Sequence, residues 1–133
     1  MASENNPMKV VILEDDELLR ELLCEWLGNQ PDIRIIDQFG TAAAFANAVD
    51  SSVKEADIFI IDVVLPDGDG IETALAAMRQ TGTKPGFIVI SSHASADLFE
   101  RLSKQMEGSW AFLLKNSNGL ANLRQAIAAV RSG

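Results

Sequence analysis

The chain has 133 residues, 47% of them hydrophobic, and a formal net charge of −8, enough for one domain with a sizeable core and too short for two of ordinary size. The acidic balance argues against direct nucleic-acid binding by this segment, because Lys and Arg supply most of the affinity for phosphates. No apolar run approaches the roughly 20 residues of a membrane span, and MASENNPMK lacks the layout of a signal peptide, so a cytoplasmic protein without membrane contact is expected.

Residues 1–7 are polar, end in Pro7 and are expected to be disordered. Val10 to Leu13 is a pure apolar run closed by Glu14, Asp15 and Asp16. Leu18, Leu19, Leu22, Leu23, Trp26 and Leu27 then recur at helical spacing, and Gly28 with Pro31 ends that helix. The single cysteine, Cys24, lies in this pattern; it excludes an internal disulfide and reads as a structural thiol. Ile33 to Ile36 predicts a second strand, followed by Asp37, and Thr41 to about Ser52 a second helix with Phe45 and Val49 on one face. Ile58 to Ile61 runs straight into Asp62, with Pro66, Asp67, Gly68, Asp69 and Gly70 close behind, as for a strand buried on both faces that ends in a turn. Ile71, Ala74, Leu75 and Met78 mark a third helix, Phe87 to Ile90 a fourth strand closed by Ser91 and Ser92, and Leu98, Phe99, Leu102 and Met106 a fourth helix. Ala111 to Leu114, with Trp110 packing at its start, is the fifth strand, closed by Lys115; Leu120, Leu123, Ile127 and Val130 form a last helix.

Five apolar runs alternating with five helical patterns predict an α/β fold, a parallel sheet with helices on both faces. An eight-unit barrel would need about 250 residues. In the doubly wound strand order 2-1-3-4-5, strands one and three are neighbours at the switch point, where ligands bind. The carboxylates following those strands then converge with Ser91 and Lys115, and Asp37 is left on the edge strand. Clustered carboxylates repel unless a cation sits among them. With oxygen donors and no cysteine or histidine cluster, a hard ion such as magnesium fits best. Three carboxylates, a divalent ion and one ammonium cancel in charge, a cradle suited to a phosphoryl group that Asp62 could accept as an acyl phosphate. Singly, each signal has a plainer reading: acids before a helix cap it, Asp67-Gly-Asp-Gly is a turn, and a lysine after a strand is solvated. The glycines here lack the dinucleotide and phosphate-loop spacings, and Met78 stands where a calcium loop at Asp67 would need glutamate.

The segments VVILEDDELLR, IDVVLPDGDG, VISSHAS and AFLLKN together resemble the receiver domain of two-component response regulators, across residues 8–131 and most closely the NarL/LuxR-type subfamily. The resemblance implies a flavodoxin-like (βα)5 fold and phosphorylation of Asp62 by a sensor histidine kinase or phosphotransfer protein. It implies Mg2+, or Mn2+ in its place, held by Asp15 and Asp62 directly, by Glu14 through water and by the backbone carbonyl of Val64. Arg20, five positions after Asp15, selects Glu14 and Asp15 as the acidic pair, leaving Asp16 as N-cap. Lys115 and Ser91 would contact the phosphoryl group, and Ser91 with Phe112 would form the switch that re-shapes the surface of the fourth helix, fifth strand and fifth helix. Val64 and His93 would modulate how water reaches the acyl phosphate. Self-phosphorylation and slow self-dephosphorylation are implied, since Val64 stands where a phosphohydrolase carries its second aspartate. Homodimerisation on activation is expected. Asn116 replaces the proline common after the lysine, which leaves the isomer of the Lys115–Asn116 peptide open. Residues 132 and 133 are expected to begin a linker to a helix-turn-helix output domain. The alternatives are a stand-alone receiver and a phosphorylation-independent interaction module.

Overall fold

The structure, a computed structural model, describes residues 6–132. Residues 1–5 and 133, which carry most of the stretch expected to be disordered and the end of the expected linker, lie outside the described residues. The elements run β1 (Met8–Leu13), α1 (Glu17–Gly28), β2 (Ile33–Phe39), α2 (Ala42–Asn47), a 3-10 turn (Val53–Glu55), β3 (Ile58–Asp62), α3 (Gly70–Thr81), β4 (Gly86–Ser91), α4 (Ala96–Gln105), β5 (Trp110–Leu114), one turn of helix (Ser117–Leu120) and α5 (Leu123–Ser132). The five strands pair in parallel in the order β2-β1-β3-β4-β5, the doubly wound α/β order expected from the sequence. A two-residue antiparallel ladder, Val64–Leu65 against Gly68–Asp69, closes the loop between β3 and α3.

Strand periodicity sorts the core into two layers. Val11, Leu13, Phe59, Ile61, Phe87 and Val89 face α2, α3 and α4, where Phe45, Ile71, Ala74, Leu75 and Leu102 meet them. Val10, Ile12, Ile58, Ile60, Ile88 and Ile90 face α1 and α5, through Leu23, Leu27, Leu123, Ile127 and Val130. Every residue of β3 is buried, which is why its run shows no alternation in sequence. Phe39, Phe45, Phe59 and Phe87 form an edge-to-face chain with centroids 5.6, 5.4 and 6.4 Å apart, a favoured geometry for aromatic pairs.

Several element boundaries differ from the sequence expectation. β2 continues to Phe39, so Asp37 lies within the strand, beside a register shift opposite Val10 and Val11. Its carboxylate accepts a hydrogen bond from Ser52 Oγ at 2.7 Å. α2 stops at Asn47 and the chain reaches β3 through the Val53–Glu55 turn, because Asp50, Ser51 and Ser52 favour turns over helix interior. The last helical pattern is two helices, and Ser132 still belongs to the second. On α1 the apolar residues form two stripes one position apart. At about 100° per residue only one stripe can face the sheet: Leu23 and Leu27 are buried, whereas Leu18, Leu22 and Trp26 are 66%, 54% and 40% exposed. Phe99 is 39% exposed although Leu102 and Met106 of the same pattern are buried. No described helix is long and apolar enough to cross a membrane.

Candidate functional site

The C-terminal ends of β1 and β3 lie side by side, Leu13 opposite Ile61, so the residues leaving each strand share one edge of the sheet. Asp16 caps α1 by accepting a hydrogen bond from Leu19 N at 3.0 Å, which takes it away from the cluster. Glu14, Asp15 and Asp62 each contribute a carboxylate oxygen to a group whose members lie within 4.8 Å of one another. Glu14 is fully buried, Asp62 is 3% exposed and Asp15 faces solvent. Lys115 reaches in from the end of β5, its Nζ 2.8 Å from Glu14 Oε1 and 3.1 Å from Asp62 Oδ2. Its backbone N–H donates to Ser91 O at 2.8 Å, which fixes the end of β5 against that of β4.

The electrostatics follow from this crowding. Burial, then the hydrogen bond with Asp15, then the charge of Glu14 push Asp62 up to about 7, and Lys115 only partly offsets them. Asp15 moves below the usual carboxylate range, chiefly through the same hydrogen bond to Asp62. The opposite shifts belong to the pair: the hydrogen bond between them favours the charged form of Asp15 and the neutral form of Asp62, the deeper of the two. Burial would lower the Lys115 ammonium, but Glu14 and then Asp62 outweigh it and hold it above its ordinary value. Lys115 alone therefore leaves the acids under-neutralised. Glu14 Oε1 is buried without a hydrogen-bond partner, close to the ammonium but misaligned with it. An all-oxygen donor set with one orphaned buried oxygen and an aspartate driven to protonate fits a small divalent cation.

Around this cluster, Ser91 is buried at the tip of β4, where its Oγ donates to His93 O at 2.9 Å and accepts from His93 N at 3.2 Å. The imidazole of His93 is exposed, as is the side chain of Val64 at 73%. Phe112 is half-buried in β5, its ring edge-to-face with Phe99 of α4 at 4.9 Å. The Lys115–Asn116 peptide is trans, like every peptide bond among the described residues. Asp37 stands apart on the edge strand. A cavity of about 810 Å³ opens at the other end of the strands between Lys9, Arg34, Asp57, Lys84 and Arg131 and touches none of these groups.

Three residues support the cluster through contacts that a reading of sequence does not show, although the spacing of Arg20 from Asp15 marks that residue. Arg20 donates to Glu14 O at 2.7 Å and to Gln38 Oε1 at 3.1 Å, and a Cβ on Gly40 would lie 2.9 Å from its guanidinium. Gly70 packs directly against the backbone of Asp62: a Cβ there would fall 1.8 Å from Asp62 O. Asp69 caps α3 and binds Arg101 of α4 through both carboxylate oxygens, at 2.8 and 2.9 Å. The turn glycines were visible, but nothing in their spacing distinguishes a turn from a close approach.

Comparison with known proteins agrees with this geometry. The response regulator receiver domain family matches residues 10–128. The chain is 33% identical over 111 residues to protein-glutamate methylesterase/protein-glutamine glutaminase 1 of Syntrophus aciditrophicus, covering 83% of this chain and 31% of that protein. It is 30% identical over 127 residues to the transcriptional regulatory protein LiaR of Bacillus subtilis, covering 95% and 57%. The chain thus spans from under a third to under three-fifths of these relatives. The signal receiver domain of NarL from Mycobacterium tuberculosis superposes with a TM-score of 0.78 at 20% identity, over 96% of this chain and 99% of that one, which is a likeness of fold. The chain belongs to the response regulator receiver domain family.

Proposed function

We propose that this domain is a phosphorylation switch in which Asp62 accepts a phosphoryl group from the phosphohistidine of a sensor histidine kinase or phosphotransfer protein. The observation that carries this reading is Asp62 itself, buried, pushed up to about 7 and flanked by Glu14, Asp15 and Lys115. Asp15 and Asp62 would hold Mg2+ or Mn2+ directly, Glu14 through water, with the Val64 carbonyl completing the protein donors. The ion supplies the positive charge that keeps Asp62 ionised at neutral pH and offsets charge on the phosphoryl oxygens.

An Asp62 oxygen attacks phosphorus, the P–N bond to the donor imidazole breaks as the P–O bond forms, and the imidazole leaves with its electron pair and takes a proton. Lys115, already 3.1 Å from Asp62, neutralises a phosphoryl oxygen. Ser91 exchanges its bond to His93 O for one to the phosphoryl group, and Phe112 follows into the space vacated, which alters the α4-β5-α5 surface. Val64 and His93, both exposed beside the site, set how readily water reaches the acyl phosphate. Neither can act as a carboxylate base, so hydrolysis is slow and turnover on an external substrate is not the function.

The relatives carry receivers on both a methylesterase and a transcriptional regulator, so the receiver alone does not specify output. The NarL/LuxR-type likeness favours transcription through a C-terminal helix-turn-helix domain, with homodimerisation on activation in the cytoplasm. The acidic receiver itself makes no DNA contact. The test is incubation with a small phosphodonor and Mg2+ followed by intact mass. One phosphoryl group is expected on the wild type and none on Asp62→Asn or after chelation; modification that persists in the mutant would overturn the assignment.

A further inference from the structure

α4 is the most lightly anchored of the long helices: Leu102 is its one buried side chain, with Leu98 half-buried. Against this weak apolar anchor stands a strong polar one. Arg101 Nη1 and Nη2 grip Asp69 Oδ2 and Oδ1 at 2.8 and 2.9 Å, Nη2 also reaches Glu72 Oε1 at 3.2 Å, and Nε binds Gln105 Oε1 at 3.2 Å. Two parallel bonds from a planar guanidinium fix orientation as well as distance. Burial works to raise Asp69, but the Arg101 hydrogen bonds, the Glu72 N–H and the Arg101 charge hold it below the usual carboxylate range, so the pair is ionised at neutral pH.

What Asp69 does at its other end gives the contact meaning. Asp69 is the ladder partner of Val64, and the next residue, Gly70, donates its N–H to Val63 O at 2.8 Å while lying against Asp62 O. A displacement of Asp69 is therefore passed to Val64 through the short ladder in which the two stand opposite and which the Gly70–Val63 hydrogen bond closes, with no flexible side chain between. We propose that Arg101 is a positioning residue for the metal-binding loop, holding the Val64 carbonyl ready for the divalent ion and so coupling occupation of the Asp62 site to the seating of α4. This rests on the reading above that Asp15, Asp62 and Val64 hold that ion. It adds a connection between site and α4 separate from the one through Ser91 and Phe112, and it is reciprocal: whatever binding the ion does to α4, releasing α4 does to the ion.

The sign of the effect separates positioning from bulk electrostatics. Removing a cation from near an acidic site makes the site more negative and should tighten Mg2+ binding. Losing a clamp on the loop should weaken it. Calorimetric titration of Mg2+ into the metal-free protein at pH 8, without phosphodonor, is expected to show Arg101→Ala binding about fivefold more weakly, the size of a modest coupling energy. Arg101→Lys, which keeps the charge and loses the fork, should recover part of the loss. Lys104→Ala, which removes an exposed cation of the same helix paired to Glu100 at 2.7 Å, should leave affinity unchanged or slightly tighter. Hydrogen exchange gives a second reading: Mg2+ should slow exchange of residues 96–105 in the wild type and not in Arg101→Ala. Should Arg101→Ala fail to fold, Arg101→Gln and Arg101→Lys carry the same comparison. Unchanged or tighter binding in the folded Arg101 variants, or α4 exchange in the wild type that ignores Mg2+, would overturn the coupling alone. A wild type that binds no Mg2+ would overturn the metal reading, and the coupling with it.

Discussion

Asp62 is held in two conflicting environments, and pH decides between them. In an unfolded chain an aspartate titrates at about 3.9, whereas in the folded protein burial above all pushes Asp62 up to about 7. Between these values the folded protein binds a proton that the unfolded chain has lost, so stability falls as pH rises from about 4 to about 7, and the penalty persists above that. Asp15 works the other way, since its lowered pKa adds stability that is present above its unfolded value and lost as pH falls through the folded one. The Asp62 penalty is thus partly offset. Asp62→Asn keeps the shape and removes the charge, so in chelator at pH 8 it should be the more stable protein, by on the order of 2 kcal/mol. Thermal melts of both proteins from pH 4 to pH 8 check this; the gap should close at the acid end, and a gap independent of pH would show that burial of this charge is not its cause. At this scale the proximity of Glu14, Asp62 and Lys115 was legible because each directly follows an apolar run that parallel pairing brings to one edge. Arg101 was not, because its partner lies 32 positions away in the turn that caps a different helix and no periodicity links them.

Joining β3 to α3 demands a backbone approach that most residues forbid. Gly70 opens α3, a place where alanine would ordinarily gain up to ~1 kcal/mol in helix propensity. Here a Cβ would sit 1.8 Å from Asp62 O and 2.9 Å from Ile61 Cγ2. Backbone on one side and a core side chain on the other leave it nowhere to go, so the clash outweighs the propensity gain. Gly70→Ala should cost about 3 kcal/mol in urea unfolding, and a neutral or stabilising result would mean that the loop relaxes more freely than its ladder implies. The same element scale shows where sequence pattern loses resolution. The leucines of α1 satisfy helical spacing twice over, and only the position of the sheet decides that Leu23 and Leu27 are core while Leu18 and Leu22 are not. Asp37 ends the apolar run of β2 but not the strand, because on an edge strand its carboxylate can accept a hydrogen bond from Ser52 Oγ while the backbone continues to pair.

For the whole molecule, the order of five apolar runs pointed to a parallel sheet covered on both faces, since parallel crossovers leave few arrangements, and the receiver resemblance supplied the strand order and its switch point. What that arrangement does is gather negative charge at one rim of a chain already at −8, and stability should therefore be linked to the ion that relieves it. A ligand that binds only the folded state stabilises it by RT ln(1 + [L]/Kd), about 2.7 kcal/mol at a hundredfold excess over Kd. At pH 8 Asp62 is ionised and Mg2+ at that excess should raise Tm by on the order of 10 °C, reversibly on adding chelator. Below about 7 a proton competes at Asp62, and apparent affinity falls roughly tenfold per pH unit. Two units down, the same Mg2+ concentration only matches Kd, and the stabilisation drops to about 0.4 kcal/mol, near the limit of a melt. Differential scanning fluorimetry at pH 8 and pH 5, with and without Mg2+, measures both terms in one experiment. Equal stabilisation at the two pH values would place the ion on groups other than Asp62, whereas loss of the effect at pH 5 ties the ion, the proton and the fold to the same carboxylate.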